Sequence, residues 1–136
     1  MKNIFLALLA FGLVGCSTTP VSPHEAKEVA PIIKYQKQQG LIPVTIIRDK
    51  GIIASACAIT TYINGDQIAN LDTGEKVVAY VQPGNIVVGA GFIGSGLCNG
   101  PERKERYFNV TTGESTILRV FTDQHANVDI LPTTLK

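Results

Sequence analysis

The sequence predicts an all-β fold, a small antiparallel β-sandwich of about seven or eight short strands. From Leu41 onward, runs of β-branched and aromatic residues alternate with Gly, Pro, Asn and Asp at intervals of about ten residues. Turn sequences and the alternation of apolar and polar residues within the runs favour the same class. We expect strands at residues 43–48, 53–63, 66–71, 76–81, 86–91, 106–111, 115–122 and 127–131.

Turn sequences set several of the strand boundaries. Asn64-Gly65, between TTYI and DQIANL, predicts a type I′ hairpin, because that turn needs a positive φ at both central residues. The run QPGN at 82–85 predicts a type II turn, in which proline presets φ and glycine supplies a positive φ. The pair TG at 112–113 is a third turn signal.

The strand at 115–122 predicts which of its side chains face the core. Leu118 and Val120 alternate with Arg119 and Phe121, so we expect the two aliphatic residues to be buried. Arg119 then lies at the surface with its aliphatic stem along Phe121. A partner within the chain, or an anion-binding role for Arg119, is the alternative.

Residues 1–15 predict a lipoprotein signal peptide. Lys2 supplies a positive start, and residues 4–14 form an apolar run that spans only about half of the ~30 Å hydrocarbon core, which disfavours a permanent transmembrane helix. The ending LVGC resembles the bacterial lipobox, in which signal peptidase cuts before a cysteine that carries diacylglycerol. The resemblance implies lipidation of Cys16, usually with a further acyl chain such as palmitate on the freed amine. An ordinary signal peptide is the alternative.

The anchor has consequences for localisation. Several acyl chains hold a protein firmly in a bilayer, because each buried CH₂ contributes about 0.8 kcal/mol. By resemblance to lipoproteins of enteric-type bacteria, Ser17 after Cys16 implies the outer membrane, with the domain facing the periplasm or the cell surface.

Residues 16–40 are predicted to form a lipidated tether, and residues 41–136 the β-sandwich domain. The tether is polar and rich in proline. Its run SPHE at 22–25 has the form of a capping box and predicts one short helix. A mobile linker is one alternative, and docking of Ile32, Ile33 and Tyr35 over an exposed sheet edge is another.

The two cysteines that remain beside Cys16 are predicted to pair. Cys57 and Cys98 belong to a chain exported to an oxidising compartment, which favours a disulfide closing a loop of about 40 residues. Two buried free thiols, or a redox or metal site, are the alternatives. Neither cysteine lies in a C-x-x-C pair, and His24 and His125 lack metal-ligand spacing to them. We therefore expect no metal and no cofactor.

The run GAGFIGSG at 89–96 has the G-x-G-x-x-G spacing of dinucleotide-binding loops. That fingerprint needs a helix after its third glycine and an acidic residue about 20 positions later. The following residues, LCNGP, do not favour a helix, and the acidic residue is missing. We expect instead a glycine-rich strand end that carries Cys98 to Cys57, and no nucleotide.

Charge and side-chain chemistry exclude other partners and sites. Removal of Lys2 with the signal leaves 11 basic and 11 acidic residues, so the mature chain is neutral and no nucleic acid is expected. Asp66, Asp72 and Glu75 fall in predicted turns, and no G-x-S-x-G elbow is present. We therefore predict no catalytic residues. The run PERKER at 101–106 predicts a solvated loop, or a rim that meets a protein or lipid headgroups.

Five short runs follow one another in a distinctive order and spacing: SAC (55–57), YING (62–65), ANLDTGE (69–75), VQPG (81–84) and GLC (96–98). Together they resemble a family of small bacterial lipoproteins with a single β-domain of unassigned function. The domain is similar to the sandwiches of transthyretin-like proteins and to those beside carboxypeptidases. The resemblance implies an envelope lipoprotein that acts as a structural or protein-interaction module, with a partner in the envelope. A cell-wall or lipid hydrolase, and a prophage- or plasmid-encoded surface exclusion lipoprotein, are the alternatives.

Overall fold

The structure, a computed structural model, describes residues 18–136, so the predicted signal peptide and Cys16 lie outside the described residues. Within this part of the chain, nine strands form two sheets, without an α-helix, which confirms the predicted all-β class. Two single 3₁₀ turns occur, at Ile33–Tyr35 and Gly96–Cys98. The strands are β1 Lys27–Val29, β2 Ile42–Arg48, β3 Ile59–Ile63, β4 Asp66–Leu71, β5 Glu75–Val81, β6 Gly84–Gly91, β7 Lys104–Val110, β8 Thr116–Thr122 and β9 Val128–Pro132.

The two sheets differ in how their strands pair. The larger sheet has the order β1-β5-β2-β8-β9, and the smaller has the order β4-β3-β6-β7. All pairs in the smaller sheet are antiparallel. In the larger sheet β1 runs parallel to β5, and β2 parallel to β8. The larger sheet is therefore mixed, where the sequence predicts wholly antiparallel pairing.

The core lies between the inward faces of the two sheets. Leu118 and Val120 are buried in it, as predicted. Each fully buried aliphatic side chain of this kind stabilises the fold by roughly 1.5–3 kcal/mol. The side chains shielded most completely in this layer include Val44, Ile46, Ile59, Ile63, Leu71, Val77, Val88 and Ile130.

The strand register defines two ends of the sandwich. Thr60 pairs with Gly91, and Arg48 lies beside Val120, so the connections 49–58, 92–103 and 123–127 share one end, which we call the disulfide end. The opposite end carries the β3–β4 hairpin turn, the β5–β6 turn and the start of β2. We call it the hairpin end.

The predicted turn at Asn64-Gly65 is confirmed by its backbone. Asn64 has φ 50° and Gly65 has φ 86°, as a type I′ turn requires. The Asn64 side chain also accepts a hydrogen bond from the Val87 amide, at 2.9 Å. This contact fastens the hairpin to the neighbouring strand β6.

Substituting Gly65 by alanine is expected to lower the free energy of unfolding by about 1 kcal/mol, because alanine is strained at a positive φ. A methyl group at Gly65 meets no atom within 4 Å, so the backbone conformation alone sets the cost. Gly51→Ala is the matched control, since Gly51 does not have a positive φ. Urea unfolding measures both, and equal losses in the two variants would contradict the turn assignment.

The predicted strand at 53–63 is too long at its start. Strand β3 begins only at Ile59, and residues before it form turns in which Ser55 bonds back to Ile52 and Cys57 to Ala54. Ala54 has φ 54°, a conformation with no signature in its residue type. The β-branched residues of this segment favoured a strand that the tertiary contacts replace with a loop.

The helix predicted from Ser22 is also wrong. The amides of Glu25 and Ala26 both donate to the Ser22 carbonyl, at 3.1 Å, and this single turn leads directly into β1. Val21 and Ala26 are buried against Ile47, on the outer face of the larger sheet. Burial of these side chains and pairing with β5 outweigh the local capping signal.

The docking alternative for residues 32–35 holds for part of the segment. Tyr35 is buried, and the Ile32 amide donates to the Ile68 carbonyl of β4, at 3.1 Å. Ile33 points away and is 82% exposed. The segment therefore covers the open edge of β4 with its backbone and with Tyr35.

Candidate functional site

The disulfide end is organised by the predicted pair of cysteines. Cys57 and Cys98 form a disulfide with a Cα–Cα distance of 5.4 Å, which confirms the sequence-based pairing. Cys57 follows the turns of the 49–58 connection, and Cys98 ends the 3₁₀ turn of the 92–103 connection. The bond therefore holds two long loops together at one end of the sandwich.

The glycine-rich run serves this disulfide. Strand β6 ends at Gly91, and only a single 3₁₀ turn follows, where a dinucleotide site would require a helix. A methyl group at Gly94 would lie 2.9 Å from the Cys98 Cβ, so only glycine permits this approach. The run is a strand end that brings Cys98 to Cys57.

Arg48 ties the two sheets together beneath the disulfide. Its guanidinium is buried and donates to the carbonyls of Cys57 at 2.6 Å, Leu71 at 2.7 Å and Ala54 at 3.1 Å. Burial lowers the pKa of Arg48, and the charges of Asp72 and Glu75 act in the opposite direction. Sequence reasoning missed this residue, because an arginine at the end of an apolar strand is typical of a surface position.

Asp49 is the partner of Arg119. Its side chain is 1% exposed, and it accepts hydrogen bonds from the Arg119 guanidinium and from the Thr18 hydroxyl, the latter at 2.9 Å. The Arg119 Cζ lies 4.7 Å from the centre of the Phe121 ring, so the guanidinium itself contacts the ring, where the sequence predicted a contact of the aliphatic stem. The Arg119 guanidinium is therefore occupied by the carboxylate of Asp49, a partner within the chain. This is the first of the two alternatives that the sequence left open for Arg119, the other being an anion-binding role.

The N-terminal end of the described chain is fixed at this same end. The Thr19 amide donates to the Lys50 carbonyl at 2.6 Å, and the Lys50 amide donates to the Thr19 carbonyl at 3.0 Å. Gly51 packs on Thr18, where a methyl group would lie 3.5 Å from the Thr18 Cα. The chain therefore joins the sandwich beside the 49–58 loop.

A groove of about 590 Å³ opens at the hairpin end. It lies between the 3₁₀ turn that precedes β2, the β3–β4 hairpin and the β5–β6 turn. Both charged and apolar side chains face it, and its aromatic residues come from separate elements. The principal lining residues are Lys34, Tyr35, Leu41, Asp66, Tyr80 and Pro83.

A hydrogen-bonded cluster forms one wall of this groove. Lys34 Nζ lies 2.5 Å from Asp66 Oδ2, and the Tyr35 hydroxyl donates to the same oxygen at 2.7 Å. These bonds lower the pKa of Asp66, Lys34 having the larger effect. Burial, followed by the bond to Asp66, raises the pKa of Tyr35 well above its ordinary value. Tyr35 is therefore a donor that fixes the carboxylate at neutral pH.

Protonation of Asp66 is expected to make the protein less stable in acid. Since its folded-state pKa lies below its unfolded value, its contribution is present at neutral pH and is lost as the pH falls below about 4, through the folded pKa. The urea midpoint should therefore fall less in Asp66→Asn than in the wild type. Arg106 also lowers the pKa of Asp129, so part of the fall in the urea midpoint at acid pH should remain in the variant. Identical pH profiles would contradict the role of Asp66.

The three acids singled out in the sequence do not converge. Asp66 lies at the hairpin end, whereas Asp72 and Glu75 close a turn at the disulfide end, where the Asp72 amide donates to Glu75 Oε2 at 2.9 Å. The Glu75 carboxylate serves local turn geometry, as predicted, whereas the Asp66 carboxylate instead binds the distant residues Lys34 and Tyr35.

The described residues hold neither a cluster of metal ligands nor a helix that could span a membrane. Residues 18–136 contain no group of three His, Cys, Asp or Glu side chains placed to hold a metal ion. Within the same range, no helix has the length and hydropathy needed to cross a bilayer.

The similarity of the chain to known proteins was assessed at three levels. No protein-family model, no curated protein and no solved structure matches it. The resemblance to small envelope lipoproteins stays a prediction from the sequence. The groove and the disulfide end are the two candidate functional surfaces.

Proposed function

We propose that this chain is a bacterial envelope lipoprotein, anchored in the outer membrane through Cys16, whose β-sandwich is a protein-interaction module. The observation that carries the proposal is the placement of the hairpin-end groove. It lies at the end of the sandwich opposite to Thr18, where the chain arrives from the lipidation site. An anchor at one end and a groove at the other suit a module that presents a binding surface away from the membrane.

The chemistry of the groove favours a protein segment as its ligand. Tyr80 and Pro83 offer apolar surface, and the Lys34–Asp66 pair offers both a donor and an acceptor. Tyrosine is enriched at protein interfaces because one side chain combines a large apolar area with a polar tip. The surrounding turns are held by rigid strands, so little ordering accompanies binding.

Strand addition at β4 is a less suitable mode for the partner, since part of the edge of that strand is already covered. Residue Ile32 bonds to the edge of β4. At the other corner, Arg106 of β7 makes a bidentate pair with Asp129 of β9, at 2.7 and 2.9 Å. The first contact protects part of the β4 edge from pairing with another chain, and the second joins the edge strands of the two sheets. The turns of the hairpin end are accessible to a partner.

The anchor is tested by Cys16→Ala. We expect the wild type to incorporate labelled palmitate and to fractionate with the outer membrane. The variant should incorporate none and should leave the membrane fraction or accumulate as the precursor. Unchanged membrane fractionation of the variant would contradict the lipid anchor.

The groove is tested by photo-crosslinking in the native envelope. A photoreactive residue at Gln82, exposed beside the groove, should give a discrete adduct, and one at Gln124, at the disulfide end, should not. The Gln82 adduct should be lost with Tyr80→Ala and kept with the matched Tyr107→Ala, whose side chain is exposed outside the groove. Equal adducts with both tyrosine variants would contradict the proposal. Turnover of peptidoglycan or lipid by the pure protein would favour the hydrolase.

A further inference from the structure

We infer that the disulfide end is a membrane-contacting surface that lies against the bilayer in which Cys16 is anchored. Three apolar side chains of this end, Ile52, Ile93 and Leu97, form what we call the apolar rim. The inference rests on the lipidation proposed above, and it adds an orientation to it. The disulfide end of the sandwich lies against the membrane, and the groove at the hairpin end faces away from it.

The exposure of the apolar rim is the first observation. Ile52 is 79% exposed, Ile93 is 64% exposed and Leu97 is fully exposed. Two other large apolar side chains of the described residues are exposed to this degree, Ile33 and Tyr107, and neither lies in the loops of this end. Three protruding aliphatic side chains on two disulfide-linked loops of one end indicate a contact surface, whereas single exposed ones do not.

The length of chain between the lipid and the sandwich identifies the occupant. Only Ser17 separates Cys16 from Thr18, and two residue steps reach at most about 7 Å. Thr18 is held by the Asp49 carboxylate, and Thr19 by the Lys50 backbone. Cys16 therefore lies within about 7 Å of Thr18, which is itself bonded to the first residues of the 49–58 loop. The surface of the same bilayer is the partner nearest to Ile52.

The loops of the rim are joined to one another by covalent and hydrogen bonds. The disulfide links Cys98, directly after Leu97, to Cys57 in the loop of Ile52. Arg48 binds the carbonyls of Ala54 and Cys57 in the same loop. The rim is thus preorganised, and its insertion requires little additional ordering. Aliphatic side chains on such loops can reach the boundary between headgroups and acyl chains, about 5–10 Å deep.

A basic residue accompanies the rim. Lys50 is exposed directly before Gly51, and its aliphatic stem packs over Gly74. A lysine in this position can extend its ammonium to a lipid phosphate while its stem lies on apolar surface. Apolar tips flanked by a basic side chain suit the bilayer interface, which offers both environments.

The test uses tryptophan fluorescence, because the chain contains no tryptophan. The full lipidated protein, carrying Ile52→Trp or Leu97→Trp, is reconstituted into vesicles of phosphatidylethanolamine and phosphatidylglycerol. We expect the emission of both variants to lie at shorter wavelength than that of a soluble tryptophan-containing peptide in buffer without detergent. We also expect it to be quenched by lipids brominated near the headgroup. Ile33→Trp is the matched control, since Ile33 is equally exposed but lies outside the disulfide end. Its emission should show neither effect.

The outcomes separate this inference from the lipid anchor. If the protein does not float with the vesicles, the anchor fails, and the inference fails with it. If it floats but the Ile52→Trp and Leu97→Trp variants behave as Ile33→Trp does, the anchor stands and the orientation is overturned. A shift that depends on protein concentration and is insensitive to brominated lipid would assign the rim to a second copy of the chain. That result would also overturn the inference.

Discussion

Replacing Arg48 by methionine is expected to reduce the free energy of unfolding by about 3 kcal/mol. The substitution leaves the buried carbonyls of Cys57 and Leu71 without the Arg48 donor, whereas the part-buried Ala54 carbonyl keeps its bond from the Cys57 amide. Each unsatisfied buried acceptor costs about 1–3 kcal/mol, and removal of a buried charge offsets part of the sum. Methionine keeps the apolar stem as far as the position of Arg48 Nε, so most of the loss reports on the missing guanidinium and its hydrogen bonds.

Two variants make this prediction specific. Arg48→Lys keeps the charge but cannot donate to all three carbonyls with one planar group, so we expect an intermediate loss. Arg106→Met removes a partly exposed ion pair with Asp129 and should cost much less than Arg48→Met, because solvent screens the pair. Urea unfolding at neutral pH measures all three. If Arg48→Met were no more destabilising than Arg106→Met, the proposed tie between the sheets would be wrong.

The elements that the sequence predicted well are those specified by neighbouring residues. The Asn64-Gly65 turn follows from the positive φ that both residues tolerate, and the burial of Leu118 and Val120 from a period of two. The Cys57–Cys98 pair follows from cysteine number and the predicted compartment. Each of these inferences needs only local pattern or counting.

The elements that the sequence mispredicted depend on contacts between distant residues. The capping signal at Ser22 yields one turn, because the residues after it pair with β5 and bury Ala26 on Ile47. The loop before Ile59 contains strand-forming residues, but Arg48 binds its carbonyls in a turn conformation. Neither outcome has a signature within a short window of sequence.

The candidate surfaces could be anticipated only in part for the same reason. The groove joins Lys34 to Asp66, which lie 32 residues apart, and the Asp49–Arg119 pair spans 70 residues. The sequence suggested that Arg119 could have a partner but could not identify it. The apolar rim combines loops that only the disulfide and the strand register bring together.

Removing the disulfide with Cys57→Ala and Cys98→Ala is expected to lower the free energy of unfolding by about 4 kcal/mol. The bond closes a loop with a sequence separation of 41 residues. In the chain-entropy account, the cross-link stabilises the fold by restricting the unfolded chain, and the effect grows with the logarithm of loop length. A loss of this size is a large fraction of the stability of a small domain.

The reduced wild type is the control that isolates the cross-link from the side chains. Reduction opens the same loop but keeps both sulfur atoms, so the reduced protein and the double variant should unfold at similar urea concentrations. If the double variant were much less stable than the reduced protein, lost packing at the buried Cys57 would account for the difference. If oxidised and reduced wild type unfolded at the same urea concentration, the cross-link would contribute nothing to stability. The large loss must therefore appear both in the reduced wild type and in the double variant, each compared with the oxidised wild type, because both lack the cross-link that restricts the unfolded chain.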